Sequence, residues 1–331
     1  MPHLSVTRFG PDDQDAMRAA LDLENAVRAA EAPWQHPELP RHQEARLRHG
    51  WDGEPETPYL LTADRQPVGV GSVSLTERDN THLAWLSVSV HPKHRRRGYG
   101  PALMERLLDE ARSAGRTSVG IDGWESEGAV AFATDFGLER RSQEVMRRQH
   151  LADVDLALVQ KLYDEAAASA ADYELVRISG RTPVEMRPDI VELAAAINDA
   201  PTDDLDIEDE VMSEERLTAY EDAVAARGHR MHHLVARHRA TGAPAGHTVV
   251  VVEEERPTVA HQHDTAVVRA HRGHRLGLLL KAAMLLWLAE DEPQVATVDT
   301  WNAESNDHMI SINERLGYQA LGRELAFQRR L

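Results

Sequence analysis

Cysteine is missing from the chain. Its absence excludes disulfides, thiolate nucleophiles and Cys-ligated zinc in one step, and it suits a reducing, cytoplasmic setting. No apolar run approaches the roughly 20 residues of a membrane-spanning helix, and the stretch from Met1 to Gly10 lacks the basic-then-apolar pattern of a secretion signal. A membrane role is not expected. Positive charge is in short supply: 37 Lys and Arg stand against 55 Asp and Glu, a formal net charge of −18. The deficit is uneven, −4 over residues 1–150 and −14 over residues 151–331. Such acidity argues against a nucleic-acid partner, whose phosphates need cations, and favours cationic small molecules. What remains is ordinary globular material. The 331 residues are 42% hydrophobic and 28% charged, enough for about two domains of usual size.

One pattern occurs twice. Trp85 to Gly100 is an apolar β-like run followed by a basic, Gly-containing loop, and Asp264 to Gly277 repeats that order. Each loop feeds a helix-like stretch. The first carries Leu103, Met104, Leu107, Leu108 and Ala111 at 3–4 spacing; the second, Leu278 to Leu288, is apolar almost all round and reads as buried. Further on, Ala129–Leu138 parallels Met309–Tyr318. Arg95 and Arg272 lie 177 positions apart, and Gly137 and Gly317 lie 180 apart. A near-constant offset through two landmarks marks a tandem duplication. The outer elements agree: a strand and helix open each half, and hairpins are predicted around Asp64–Pro67 and Thr241–Pro244. The expected division is 1–154, an Ala-rich connecting helix over 155–172, and 173–331.

A strand that feeds a Gly- and Arg-containing loop at a helix N-terminus can cradle a phosphate. The first-turn N–H groups are unpaired, the helix dipole is positive there, and glycine lets the backbone approach the anion. Arg95, Arg96 and Arg97 by themselves also fit a solvated basic patch. The order of parts adds more. A strand, Arg-x-x-Gly-x-Gly, a helix, a strand and a helix ending in Phe136-Gly137-Leu138 resembles the GNAT superfamily of acyl-CoA-dependent N-acyltransferases. The second half repeats this with Arg272-Gly-His-Arg275-Leu-Gly277 and Leu316-Gly317-Tyr318. The resemblance covers nearly the whole chain as two tandem domains, each an α/β (α+β mixed-sheet) fold, distantly like mycothiol synthase.

The resemblance implies acetyl-CoA as co-substrate and a small-molecule amine as acceptor, which attacks the thioester directly. The pyrophosphate would sit on the loop N–H groups, so Arg95, Arg96, Arg97, Gly98, Tyr99, Gly100 and Pro101 are expected at one cofactor site. Arg272, Gly273, His274, Arg275, Leu276 and Gly277 are expected at the other. The pantetheine arm would pair with Val88, Ser89 and Val90, and with Thr265, Ala266 and Val267. An Asn before the last helix, followed seven residues later by a Tyr acid, is common in the family. Asn306 fits the first role, but Asn313 stands where the Tyr would be, and the first half has Ser126 and Ala133. Arg275 replaces the family's first loop glycine. The usual base position is Ala84 in the first half and His261 in the second. His261 therefore reads either as a base or as a surface strand residue, and Asp264 reaches the same face only if a bulge intervenes. Turnover is expected to depend on the second half.

Asp203, Asp204 and Asp206 open an acidic run that continues to Glu215. It fits either a pocket wall selecting a cationic acceptor or a solvated loop leading into a helix. A metal centre is not expected, because the many histidines show no ligand spacing and cysteine is lacking. The runner-up function is a non-catalytic acyl-CoA sensor or scaffold. No oligomeric state follows from the sequence.

Overall fold

The computed structural model describes residues 2–331, which fall into two compact units. The amino-terminal unit takes in the chain up to Glu144 together with Thr202–Asp209 and Gly322–Leu331. Its elements in chain order are β1 (Leu4–Arg8), α1 (Gln14–Glu31), α2 (Pro40–His49), β2 (Thr57–Ala63), β3 (Gln66–Ser74), β4 (Leu83–Val90), α3 (Tyr99–Ser113), β5 (Ser118–Trp124) and α4 (Glu127–Asp135). The carboxy-terminal unit takes in Val145–Pro201 and Glu210–Leu321. It contains the second half of β6 (Glu139–His150), then α5 (Leu156–Ser169), β7 (Tyr173–Ser179), α6 (Arg187–Ala195), α7 (Glu214–Ala226), β8 (His229–His238), β9 (Pro244–Glu253), β10 (Val259–Val267), α8 (Leu276–Asp291), β11 (Thr297–Ala303) and α9 (Asp307–Arg315). The last strand, β12 (Gln319–Arg330), ends the chain.

Each unit is a mixed sheet with helices on both faces. In the amino-terminal unit the strand order is β1-β2-β3-β4-β5-β12. The apolar stripe of α1 (Ala16, Met17, Ala20, Leu23) packs with Leu47 of α2 and Val70 on one face, as its 3–4 spacing dictates. Leu103, Met104, Leu107 and Leu108 of α3 and Ala133 of α4 cover the other face over Leu86, Val119, Ile121, Leu325 and Phe327. The Asp64–Pro67 hairpin is present, with Asp64 and Arg65 both at positive φ (49° and 68°), the backbone that lets two right-twisted strands turn tightly.

In the carboxy-terminal unit the order is β6-β11-β10-β9-β8-β7. Thus each unit's sheet is completed by a strand from the other half of the sequence. The strand β12 pairs antiparallel with β5 from Glu324↔Trp124 to Arg330↔Ser118, and β6 lies beside β11. There Arg148 of β6 forks onto Asp299 of β11 at 2.6 and 2.7 Å, both side chains buried. Helix α5, capped by Asp155, packs Val159, Leu162 and Ala166 into the same core as α8. Helix α8 is enclosed on nearly every side, which explains a sequence with no polar face.

One residue of α8 breaks that rule. Lys281 is 3% exposed and lies 5.0 Å over the Tyr318 ring, and among the described residues no carboxylate forms an ion pair with it. Burial pushes its ammonium down to about 7, while an unfolded lysine titrates near ~10.4. The unfolded chain therefore binds the proton more tightly between those values, so stability rises with pH from about 7 to about 10 and the penalty is fully present below 7. Lys281→Met should remove that rise. Denaturant unfolding at pH 6.5 should show the variant more stable by on the order of 3 kcal/mol, with the difference shrinking toward pH 10.

Candidate active sites

The two parallel strand pairs come apart midway. In the amino-terminal unit β4 pairs with β5 only from Leu83↔Ser118 to Leu86↔Ile121, while Trp85 to Val90 stay paired to β3. Residues 87–90, which include Val88, Ser89 and Val90, therefore turn one backbone edge toward a notch where an extended chain can add as a strand. In the carboxy-terminal unit β10 pairs with β11 only from Val259↔Thr297 to His261↔Asp299, and Thr265, Ala266 and Val267 border the corresponding notch.

Each notch runs into an anion-ready loop. Gly98 N-caps α3 in the left-handed conformation (φ 80°, ψ 6°), and no side chain caps the helix. The N–H groups of Tyr99 and Gly100 thus begin a helix with an open N-terminus; Pro101 offers none. Arg275 N-caps α8 in the same conformation (φ 58°, ψ 23°), again without a side-chain cap. The backbone path of the loop is kept although its glycine is gone. The arginines also correspond. Arg95 Nε donates to Val90 O at 3.1 Å and its Nη2 pairs with Glu31 at 2.7 Å. Arg272 Nε donates to Val267 O at 3.2 Å and its Nη2 pairs with Asp199 at 2.8 Å. Both guanidinium groups tie the loop to its strand and to the segment after the first helix. The exposed loop arginines are Arg96 and Arg97 in one unit, and Arg272 and Arg275 in the other.

Beside the second notch, β10 slips register on β9 between Gln262 and Thr265, so the bulge on which Asp264 depended is present. His261 Nε2 is 2.7 Å from Glu253 Oε1. Glu253 is 1% exposed; burial alone would raise its carboxyl, but hydrogen bonds from His261 and Arg256 hold it at about 2. His263 Nδ1 lies 2.6 Å from the Tyr220 hydroxyl of α7. Burial pushes the His263 imidazolium well down and the Tyr220 phenol well up, so both are neutral near pH 7. Glu253 and Tyr220 were not singled out from sequence; His261 was the residue that pointed at this spot. Asn306 N-caps α9 through Met309 N at 3.2 Å. Asn313 is completely enclosed and donates to Asn302 at 2.6 Å, with its own Oδ1 unpaired. It braces α9 against β11 and has no surface for a ligand, which corrects its expected catalytic place. A cavity of about 560 Å³ in this unit lies by Arg181, Glu221, Arg230 and Glu292, at the C-terminal end of α8. That is one helix length away from the anion loop.

The acidic run folds onto the other unit. Asp203, Asp204 and Asp206 lie in the segment that belongs to the amino-terminal unit, not in a wall of the carboxy-terminal pocket. Asp203 accepts from Ser142 at 2.6 Å, Asp204 N donates to Arg141 O, and Asp206 N donates to Gln328. Asp203 thereby joins Glu144, Asp122 and Glu324. Burial raises the Glu144 carboxyl, with Asp122 and Asp203 adding to it. Asp122 accepts from Trp85 Nε1 at 2.8 Å and is the first β5 residue past the point where β4 leaves. Under α2 the same face is filled: Arg46 pairs with Glu24 at 3.0 Å and with Glu56, leaving a cavity of about 30 Å³. The polar approach to the notch is therefore from the Asp122 side. The left-handed caps give a stability test. No atom lies within 4 Å of a Cβ built on Gly98, so the conformational cost alone separates glycine from other residues at the two caps. Arg275→Gly should stabilise the protein by about 1 kcal/mol and Gly98→Ala should destabilise it by a similar amount, read by denaturant unfolding.

Similarity to known proteins follows the same outline. The model of the acetyltransferase (GNAT) family matches residues 22–138. The mycothiol acetyltransferase of Gordonia bronchialis is 34% identical over 102 residues, 29% of this chain and 33% of that protein. The one of Clavibacter sepedonicus is 29% identical over 147 residues, 44% and 45% of the two chains. The matched part is thus less than half the length of these curated relatives. A solved tandem GNAT protein from the clavulanic acid biosynthesis pathway is 28% identical, covers 99% of this chain and 98% of its own, and superposes with a TM-score of 0.82. A GCN5-related N-acetyltransferase from Sphaerobacter thermophilus shares the fold at 15% identity, 99% and 95% coverage and a TM-score of 0.66. With two copies of the notch and loop in one chain, a family match over residues 22–138 and an end-to-end match to a tandem structure, the chain has the fold of a tandem GNAT protein and is distantly similar to the mycothiol acetyltransferases.

Proposed function

We propose that the protein transfers an acetyl group from acetyl-CoA directly to the amine of a small cationic molecule, and that the amino-terminal unit is where this happens. The observation that carries the reading is one juxtaposition. The notch left by β4 lies between an anion-ready loop, residues 95–101, and the Asp122, Glu144 and Asp203 carboxylates. The loop suits a pyrophosphate, the free edge of residues 87–90 suits a pantetheine arm, and the carboxylates suit an ammonium. Direct attack of an amine on the thioester needs no cysteine. In the carboxy-terminal unit His261, oriented by Glu253, stands as the proposed base for any transfer there. Asn313 is enclosed there and Ala133 stands at the matching place in the amino-terminal unit, so in either unit the departing thiolate takes its proton from the attacking nitrogen.

Free-thiol release from acetyl-CoA with a panel of amines (spermidine, glucosamine and lysine) tests the activity in the full chain. Gly98→Glu, which sets bulk and negative charge on the first loop, should abolish amine-dependent release, whereas Gly273→Glu should leave it. The reverse pattern would move turnover to the carboxy-terminal unit. Asp122→Asn together with Asp203→Asn should raise the acceptor KM about tenfold at low salt and less at high salt, because screening already weakens the attraction there. A best acceptor without positive charge would sink the cationic reading.

A further inference from the structure

We propose that Glu324, brought into the amino-terminal unit on the last strand of the chain, is the general base that takes the proton from the acceptor ammonium. The inference rests on the reading of that unit as the one that turns over. Leu325 and Phe327 are buried in the core under α3. Strand alternation therefore turns Glu324 to the opposite face, the one α1 covers. Glu324 is paired with Trp124, and Ala326 with Asp122, so the Glu324 and Asp122 side chains are diagonal neighbours on one face. The strand is held close there. A Cβ built on Gly322 would lie 2.3 Å from the Trp34 ring and 2.9 Å from Trp124, so only glycine lets β12 approach those rings and sets Glu324 two residues further on. Trp34 and Trp124 meet edge to face at 5.4 Å, giving the strand a rigid support.

The charges facing Glu324 come from three other parts of the unit. Asp122 is on β5, Glu144 on β6, and Asp203, whose charge acts on Glu144, is in the 202–209 segment. Asp122 is anchored by Trp85. Burial, then the charge and hydrogen bond of Asp122, then Glu144, push the Glu324 carboxyl up to about 8. A carboxylate of that basicity can accept a proton from an alkylammonium, where an ordinary one near ~4 would be too weak. The strand β4 (Leu83–Val90) carries no carboxylate and no histidine, so the unit must draw a base from elsewhere.

The step balances. The Glu324 carboxylate takes one proton from R–NH3+, and the freed lone pair attacks the thioester carbonyl. The C–S bond breaks, the thiolate takes the second proton from the nitrogen of the collapsing intermediate, and the Glu324 carboxyl returns its proton to water. Amide, free thiol and one proton result.

Glu324→Gln keeps the shape and the hydrogen-bonding capacity of the protonated carboxyl, so it should fold and bind CoA as the native chain does, which calorimetry checks. With the amine panel it should lose about 10²-fold in kcat, and the rise of kcat with pH centred near 8 in the native chain should disappear. Glu324→Asp should restore part of the rate and the pH dependence. Kinetics within threefold of native with the same pH profile in Glu324→Gln would overturn the assignment while leaving the transferase reading intact. A native chain that binds CoA but releases no thiol with any amine would overturn both.

Discussion

The chemistry of this protein depends on the two places where a parallel strand pair ceases to be a pair. The strand β4 leaves β5 after Leu86, and β10 leaves β11 after His261. A paired strand has its N–H and C=O groups committed on both sides; once its neighbour diverges, one row is exposed and must be met by water or by a ligand. The rest is arranged around these notches. Flanking antiparallel strands keep the parted strand straight, and a helix begins at the end of each loop with its N-terminal dipole directed at the mouth. The opposite face supplies the polar side chains.

Duplication has left the two units alike in backbone and different in side chains. The loop arginines Arg95 and Arg272 make the same two kinds of bond, to a carbonyl five residues back and to an acid after the first helix. Arg275 holds the left-handed φ that Gly98 adopts freely, so the same turn is made there at an energetic cost. The polar sides of the two notches differ further. One carries the carboxylates Asp122, Glu144 and Asp203 with three tryptophans; the other carries neutral His263 and Tyr220 beside the Glu253–His261 pair. A crowd of carboxylates stabilises a cation and leaves one of its members protonated when none is bound. A buried Tyr–His pair does neither.

Local, periodic features were open to reading from the sequence. The hairpin at Asp64–Pro67, the buried α8 and the two anion loops each rest on spacings within about 30 residues, where apolar period and glycine placement directly report backbone geometry, and the duplication is the recurrence of such local patterns at a near-constant offset. The notches were expected only through family resemblance, because nothing in the composition of Leu83–Val90 says that pairing stops at Leu86. Asn313 shows the limit of that resemblance. Its position in the chain matched a catalytic one, but burial against Asn302 gave it a bracing role.

By itself, then, the sequence determined the strand and helix periods, the repeat, the loop chemistry and the excess of acid, all of which are written within short windows of chain. Only the tertiary structure decided which acid meets which site. The bond between Ser118 and Arg329 joins positions 211 residues apart, and on that pairing depends the placing of Glu324 beside Asp122. The run from Asp203 to Asp206 lies between two helices of one half yet packs on the unit built mainly from the other. Side-chain alternation along a strand is local, but the neighbour a strand finds is chosen by burial of whole faces. Residue spacing along the chain carries no record of that choice.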